Sequence, residues 1–301
     1  MVLLQAVISE EFKFFSILYF IMKPKQAVIL AGGRGTSFYY WFPSLKQEVS
    51  KPMLTIAGKP LVEYIVDSLH AADINEIILA VCHEKDKIKN YFGDGSKFGV
   101  SISYLEDEGK GHVRALKMAE PMVDGMFVTC YGDHIFSKEL PMKHLTNHEQ
   151  KRISVTYYRK NRLWANSFLK TDPEGRITYI EPWNCGTCGP ITDRDLDLRK
   201  GTEPASRTIH VFDKRIFDSA CWNSRNITEI QSQLTRDGEA YAFPHNEFEA
   251  HVHSWYGHLM ATRLLDRKRY EEIRKETQST DMFETIERDL EEEFGNLQLT
   301  A

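Results

Sequence analysis

Hydrophobic side chains in the first half of the chain follow two alternating patterns, one typical of buried strands and the other of helices. Apolar runs and alternations predict strands at residues 27–30, 76–81, 100–104 and 126–130. Between them, apolar residues at helical spacing predict helices at residues 59–69, 83–91 and 112–119. This order predicts a mostly parallel sheet with helices on both faces, in which ligands bind at the carboxyl ends of the strands.

The second half of the chain is richer in strand patterns. Strands are predicted at residues 153–158, 167–171, 177–181, 208–212 and 240–243, with a helix at residues 227–234. Residues 172–175 (DPEG) form a clear turn signal between two of these strands. Residues 259–295 are highly charged and predicted to be helical. The pattern therefore predicts an α/β domain with a β-rich lobe and C-terminal helices.

A glycine cluster follows the first predicted strand. Residues 28–36 read VILAGGRGT, so that Gly32, Gly33 and Gly35 come directly after a buried apolar run. Glycine allows the backbone to turn sharply and a ligand to approach closely. Consecutive backbone N–H groups in such a turn form a concave anion site that suits phosphate. Because lysines follow nearby, the cluster indicates binding of a nucleoside triphosphate.

Three short motifs identify the kind of glycine turn. The cluster lacks the Lys-Ser or Lys-Thr pair of the common phosphate loop and the spacing of the dinucleotide fingerprint. Residues 30–36 (LAGGRGT), 51–54 (KPML) and 58–60 (GKP) instead resemble, in the same order, the signature of the sugar-phosphate nucleotidylyltransferases. The resemblance implies an α/β, Rossmann-like nucleotidyltransferase domain with a mixed, mostly parallel sheet, a β-rich sugar-binding lobe and C-terminal helices. We expect a peripheral extension at residues 1–21, this domain at residues 22–260, and a charged helical tail at residues 261–301.

The resemblance also implies a reaction and a set of site residues. In this family a sugar-1-phosphate oxygen attacks the α-phosphorus of a nucleoside triphosphate, pyrophosphate leaves, and Mg²⁺ is the cofactor. Asp133 matches the aspartate that binds Mg²⁺, Lys51 matches the catalytic lysine that contacts phosphate, and Glu181 matches a sugar-contacting glutamate. The alternatives are a loop aspartate that caps the next helix and a solvated surface lysine. The implied nucleotide-binding positions are Ala31, Gly32, Gly33, Gly35, Thr36 and Gly111.

The chain departs from the family pattern at charged positions. Ser37 stands where the family carries an arginine that neutralises triphosphate charge, and Arg34 is the candidate for supplying that charge instead. Alignment of residues 255–259 (WYGHL) with the family's Trp-x-Asp-Ile-Gly puts Gly257 in place of a second metal-binding aspartate. Pro182 replaces a lysine that contacts the sugar phosphate. These changes remove charges that carry the reaction, while the motifs of the fold remain.

Three functions are compatible with these residues. The leading interpretation is a sugar-1-phosphate nucleotidylyltransferase, whose partners are a nucleoside triphosphate and a sugar-1-phosphate. The second is a catalytically impaired homologue that acts as a nucleotide or sugar-phosphate sensor, or as a regulatory subunit. The third is a transferase that acts on a non-sugar phosphate such as an alcohol phosphate. We expect a homo-oligomer, or a hetero-oligomer with an active homologue.

Composition and charge limit the binding partners and the cellular compartment that we expect. The chain has 301 residues and a net charge of −5, so nothing points to nucleic acid or to an anionic membrane as a partner. The apolar residues 14–22 are too few to span a bilayer and lack the flanks of a signal peptide. Five scattered cysteines favour a reducing cytoplasm. Cys185 and Cys188 make only half of a zinc site, and His251 and His253 are too distant in sequence to be expected to complete it.

Overall fold

The computed structural model describes residues 24–33, 50–140, 153–160, 167–182, 193–219, 222–224, 226–252, 255–276 and 281–294. The predictions for the extension at residues 1–21, for Arg34 to Ser37 and for Cys185 and Cys188 lie outside the described residues.

Thirteen named strands and nine named α-helices occur in these ranges. The strands are β1 (Gln26–Leu30), β2 (Thr55–Ile56), β3 (Lys59–Pro60), β4 (Glu76–Val81), β5 (Ser101–Glu106), β6 (Met126–Tyr131), β7 (His134–Phe136), β8 (Ser154–Lys160), β9 (Ser167–Thr171), β10 (Ile177–Pro182), β11 (Glu203–Asp213), β12 (Ala240–Pro244) and β13 (Glu249–His251). The helices are α1 (Leu61–Ala71), α2 (Lys85–Phe92), α3 (His112–Met118), α4 (Asp193–Leu198), α5 (Ile216–Ser219), α6 (Ile227–Arg236), α7 (Trp255–Leu265), α8 (Arg267–Glu276) and α9 (Asp281–Phe294).

A nine-stranded mixed sheet runs through the molecule. Seven strands follow the order β10-β9-β11-β6-β1-β4-β5, and β8 joins β11 to β12. The half around β1 is parallel, because β1 pairs in parallel with β4 and β6, and β4 pairs in parallel with β5. Strand β11 runs antiparallel to β6, β8 and β9, and thereby attaches the β-rich lobe to the parallel half. The predicted α/β class with a mixed sheet is confirmed.

Helices cover both faces of this sheet because their apolar stripes match its two faces. On one face, α1 and α2 bury residues such as Ile65, Leu69 and Ile88 against the sheet. On the other face, α3 and α6 contribute buried residues that include Leu116 and Ile230. The sheet is therefore the middle of three layers, and its strands are apolar on both sides.

The C-terminal helices pack on the domain beside two short strand pairs. Helices α7, α8 and α9 share a buried cluster with α1 and β7, in which Leu61 and Ile135 meet Tyr270, Phe283 and Ile286. Strands β2 and β3 form a tight hairpin before α1, and β7 pairs antiparallel with β13. Over the residues with described structure, every helix is too short or too polar to traverse a lipid bilayer.

Candidate active site

The carboxyl ends of β1 and β6 lie side by side and set the location of the site. Leu30 is the register partner of Tyr131 in the parallel pair. The backbone N–H of Gly132 donates to the carbonyl of Leu30 (3.0 Å), and that of Ala31 donates to the carbonyl of Ala80 (2.8 Å). The glycine turn after β1 and the Gly-Asp motif after β6 therefore meet at one edge of the sheet, where open α/β sheets bind ligands.

Gly32 is packed closely, whereas Gly33 is open. A Cβ at Gly32 would come within 2.3 Å of Oδ2 of Asp107 and 3.1 Å of Cβ of Cys82. A Cβ at Gly33 would meet no atom of the described residues within 4 Å. Position 32 therefore requires glycine for packing against the ends of β4 and β5, and position 33 leaves the exposed backbone open to a ligand.

Gly111 requires glycine for a different reason. Its φ is +101°, a backbone conformation that L side chains rarely adopt, and it directly precedes α3. A Cβ there would meet no atom within 4 Å in the part of the chain that the structure describes. The structure therefore leaves the predicted nucleotide-binding position accessible.

Lys51 reaches the end of β6 from a short 3₁₀ turn. Residues Lys51–Met53 form this turn with Pro52 at its start. The ring of Pro52 lies so close to Gly132 that a Cβ at that glycine would come within 3.1 Å of its Cγ. The Lys51 Nζ lies 3.2 Å from Oδ2 of Asp133, and both side chains are mostly buried. The structure thus brings two of the predicted site residues into direct contact.

Two histidines complete the surroundings of Asp133. Strands β7 and β13 pair antiparallel with His134 opposite His251, and the N–H of Val252 donates to the carbonyl of Asp133 (2.9 Å). Nε2 of His251 lies 3.7 Å from Oδ2 of Asp133, and Nε2 of His134 lies 4.0 Å from Oδ1. The two imidazole centroids are 4.0 Å apart and the rings are steeply inclined at 73°. Asp133, His134 and His251 therefore form one compact cluster.

The charges in this cluster favour an ionised aspartate and a neutral histidine. Burial alone would raise the pKa of the Asp133 carboxyl, but the charge of Lys51, together with His251, holds that pKa well below its usual range. Burial lowers the pKa of His134 to about 3, and the nearby charge of His251 acts in the same direction. Near neutral pH the cluster therefore offers a carboxylate and an unprotonated imidazole as ligands.

The donor set can hold a divalent cation. One ligand atom from each of Asp133, His134 and His251 lies within 4.8 Å of the other two. The buried Nδ1 of His134 has no hydrogen-bond partner among the described residues, which leaves a ring nitrogen unsatisfied. Mg²⁺ prefers a shell of oxygen atoms, whereas two imidazoles and one carboxylate suit first-row transition metals. The cluster therefore fits a divalent metal, but not the all-oxygen shell that Mg²⁺ prefers.

The structure corrects one interpretation of the sequence and locates the residues of another. Asp133 is followed by strand β7 rather than by a helix, so it does not cap one. Gly257 lies in the first turns of α7, where a Cβ would come within 2.5 Å of the carbonyl oxygen of His251. The residue that strand β13 places against Asp133 is His251, whereas the proposed replacement of a second metal-binding aspartate by Gly257 stays a prediction. The signal that sequence reasoning missed is a polar residue four positions before Trp255, where the helix begins.

Glu181 lies on the edge strand β10. Its carboxylate accepts a hydrogen bond from the hydroxyl of Tyr179 (2.5 Å) and pairs with Arg199, whose Nε is 3.3 Å from Oε2. Glu181 is in register with Phe168 of β9, and Phe168 is in register with Pro204 of β11. Because β11 runs antiparallel to β6, Glu181 lies at the end of the sheet where β6 has its carboxyl end. It is three strands from β6, or ~14 Å across the sheet. The structure does not bring Glu181 into contact with Asp133.

The site combines a glycine turn, a lysine and an aspartate at one edge of a mixed α/β sheet. This arrangement is typical of proteins that bind phosphate-bearing ligands at that edge. The chain belongs to the nucleotidyl transferase family, whose sequence model matches residues 26–248. Nucleotidyltransferases of this family generally use a divalent metal. The identification of the family from the motifs of the first 60 residues is thereby confirmed.

Individual relatives agree with this assignment. Over 211 residues the chain is 30% identical to the UTP–glucose-1-phosphate uridylyltransferase of Synechocystis sp., a match that covers 64% of this chain and 50% of that protein. The chain thus spans about half the length of this relative. A putative glucose-1-phosphate thymidylyltransferase from Bacillus anthracis, solved in complex with a sucrose, has a TM-score of 0.65 at 21% identity, covering 80% of this chain and 94% of that chain. The inositol-1-phosphate CTP transferase from T. maritima has a TM-score of 0.60 at 17% identity, covering 89% and 97%.

Proposed function

We propose that this chain transfers a nucleotidyl group from a nucleoside triphosphate to a sugar-1-phosphate and releases pyrophosphate. The observation that carries the proposal is the contact between Lys51 and Asp133 (3.2 Å) beside the glycine turn. The pair puts a cation and an anion at the sheet edge where the backbone of Gly33 is exposed. Membership of the nucleotidyl transferase family supports the reaction class.

The reaction needs positioning rather than a covalent intermediate on the protein. An oxygen of the sugar phosphate attacks the α-phosphorus, a new phosphorus–oxygen bond forms, and the bond to the β-phosphate breaks as pyrophosphate leaves. We assign Lys51 to the phosphate oxygens, which carry the negative charge. Because Lys51 contacts Asp133, binding of the triphosphate would require the lysine to exchange one anionic partner for another.

The nucleotide side of the site is assigned to the backbone after β1 and before α3. Ala31, Gly32 and Gly33 would offer N–H groups to phosphate, and Gly111 would let the base approach the chain. Gly35 and Thr36, which follow in sequence, are proposed to bind the nucleotide as well, and Arg34 is proposed to supply catalytic charge. A divalent cation at Asp133, for which Mg²⁺ is the ion implied by the resemblance, would offset charge on the triphosphate oxygens.

The acceptor side is assigned to the β-rich lobe. Glu181 presents a carboxylate at the same end of the sheet as Asp133, and its oxygens can accept hydrogen bonds from sugar hydroxyls. Its neighbours Lys170, Arg199 and Lys200 line the same surface pocket and supply positive charge for a phosphate-bearing acceptor. We propose that residues 22–260 form the transferring unit, that it works in the cytoplasm, and that it assembles with copies of itself or with an active homologue.

A pyrophosphate-release assay tests the proposal. The chain would be incubated with each of the four common triphosphates and a panel of sugar-1-phosphates and alcohol phosphates, with Mg²⁺ and, in parallel, with Mn²⁺. Release with one triphosphate and a sugar phosphate supports the proposal, and release only with an alcohol phosphate assigns a different acceptor. Thermal stabilisation by a triphosphate without any release would indicate a sensor, and no stabilisation at millimolar concentration would contradict both functions.

A further inference from the structure

The pairing of β7 with β13 places two imidazoles beside the aspartate of the site. Directly opposed residues of an antiparallel pair project from the same face, so His134 and His251 are held next to each other by the backbone. Asp133 precedes His134 in sequence, and its carbonyl is fixed by the N–H of Val252. The three side chains are therefore positioned by two strands that are far apart in sequence.

The separations of the donor atoms are close to those of a metal site. An ion that binds nitrogen and oxygen at ~2.1 Å in tetrahedral geometry holds its donors ~3.4 Å apart. The carboxylate of Asp133 lies 3.7 Å from Nε2 of His251 and 4.0 Å from Nε2 of His134. A contraction of a few tenths of an ångström, within the range of ordinary side-chain rotation, would bring these atoms to coordination distance.

His134 supplies an independent indication of a missing partner. Its side chain is 4% exposed. Within the described part of the chain its Nδ1 has no hydrogen-bond partner, and 4.0 Å from Nε2 to the nearest oxygen of Asp133 is too long for a hydrogen bond. An ion coordinated by Nε2 would give that nitrogen a partner but would leave Nδ1 without one, so the assignment rests on the separations of the donor atoms.

We propose that Asp133, His134 and His251 form a mixed nitrogen–oxygen site that binds Mn²⁺, Co²⁺ or Zn²⁺ in preference to Mg²⁺. Imidazole is a good ligand for first-row transition metals, whereas Mg²⁺ demands oxygen ligands and keeps several waters. The inference refines the proposed function and rests on it for the role of the ion in the reaction. Binding of the ion follows from the three side chains alone.

Titration with Co²⁺ tests the site without any nucleotide. The full chain, without a polyhistidine tag and stripped of metal by a chelator, would be titrated while the visible absorption of protein-bound Co²⁺ is recorded. We expect one Co²⁺ per chain, displaced by Zn²⁺ but not by a hundredfold excess of Mg²⁺. Absence of binding, or displacement by Mg²⁺ at a concentration equal to that of Co²⁺, would overturn the proposal.

Variants locate the ion. His251→Ala is the primary variant because this side chain is partly exposed, and it should weaken Co²⁺ binding at least about tenfold. Asp133→Asn should weaken binding as well, because the amide carries no charge. The matched control is His70→Ala, which removes an exposed imidazole whose Nδ1 contacts Asn75 (2.7 Å), and it should bind Co²⁺ like the wild type. Unchanged binding in His251→Ala, with folding verified by circular dichroism, would contradict the assignment.

The proposed function and the metal assignment can fail separately. If the chain binds Co²⁺ through His251 but releases no pyrophosphate with any ion, the metal assignment is supported and the proposed transferase activity is contradicted. If the chain releases pyrophosphate with Mg²⁺ but does not bind Co²⁺, the proposed transferase activity is supported and the metal assignment is contradicted.

Discussion

Lys51 and Asp133 are 82 positions apart in sequence, yet the Lys51 Nζ lies 3.2 Å from Oδ2 of Asp133. The contact joins the 3₁₀ turn at Lys51–Met53 to the carboxyl end of β6. The Lys51 ammonium and a metal ion would compete for the carboxylate of Asp133. Lys51 should therefore affect the binding of both proposed ligands, the metal ion and the triphosphate. It should oppose metal binding in the free protein and favour triphosphate binding.

The first prediction follows from this dual role. Lys51→Met should weaken triphosphate binding about tenfold or more, because a charge-assisted contact to phosphate is lost. The same variant should tighten Co²⁺ binding roughly tenfold, because a neighbouring positive charge and a competitor for Asp133 are removed. Calorimetric titration with each ligand measures both effects.

Lys59→Met is the matched control for this prediction. Lys59 also pairs with an aspartate, Asp67, and its Nζ lies 4.4 Å from the ring centroid of Tyr64. It belongs to the same sequence signature but supports α1 rather than the site. It should change neither affinity. If Lys51→Met and Lys59→Met behave alike, the role of Lys51 in the site is wrong.

The strands of the parallel half could be predicted from sequence because apolar runs and glycine breaks are local signals. Strands β1 and β6 lie within one residue of the predicted bounds. Helix α1 begins at Leu61 rather than at residue 59, because Lys59 and Pro60 pair with Thr55 and Ile56 across a tight turn. Ala57 and Gly58 both have positive φ in that turn, a geometry typical of two-residue hairpins and hard to anticipate with alanine.

The site could be predicted only in part, because some of its geometry is long range. Lys51 and Asp133 stand in motifs that are visible in sequence, and the structure brings them together. His251 could not be assigned, since β13 has three residues and its register with β7 depends on a partner more than a hundred positions earlier. Gly257 was assigned from a nearby tryptophan, a local signal that does not indicate which residue lies against Asp133.

The second prediction concerns the glycine turn. Gly32→Ala should lower the free energy of unfolding by about 1–3 kcal/mol, because the new methyl group would overlap the carboxylate of Asp107. Gly33→Ala, whose methyl group would meet no atom of the described residues within 4 Å, should change it by less than about 0.5 kcal/mol. Urea unfolding measures both variants. The double variant Gly32→Ala/Asp107→Ala should recover part of the loss, and equal stability of the two single variants would show that the packing is not as described.

The third prediction separates two ways of restoring a second carboxylate. Gly257→Asp should destabilise the chain by about 1–3 kcal/mol, because its Cβ would overlap the backbone carbonyl of His251, which cannot move freely. His251→Asp should instead shift the metal preference towards Mg²⁺ by about tenfold or more, since an oxygen ligand replaces an imidazole. Calorimetric titration with Mg²⁺ and Co²⁺ gives the ratio. A larger gain in Mg²⁺ affinity from Gly257→Asp than from His251→Asp would support the original alignment.

The fourth prediction is a dependence of stability on pH that originates in α7. Burial lowers the pKa of His258, and a hydrogen bond with the backbone of Thr55 only partly offsets this effect. Below the unfolded-state value of about 6.5, the unfolded chain therefore binds a proton at His258 that the folded chain binds less readily. As the pH is lowered through that value, His258 should lower the free energy of unfolding by less than about 1.4 kcal/mol per pH unit. At higher pH the titration of His258 should not affect the free energy of unfolding.

Urea unfolding at pH 7.5 and 5.5 with a chelator present tests this prediction. The fall in the free energy of unfolding should be smaller for His258→Gln than for the wild type, because the other buried histidines contribute equally to both. His70→Gln, at an exposed position, should keep the wild-type fall, and a His258→Gln variant with that same fall would exclude His258 as the source.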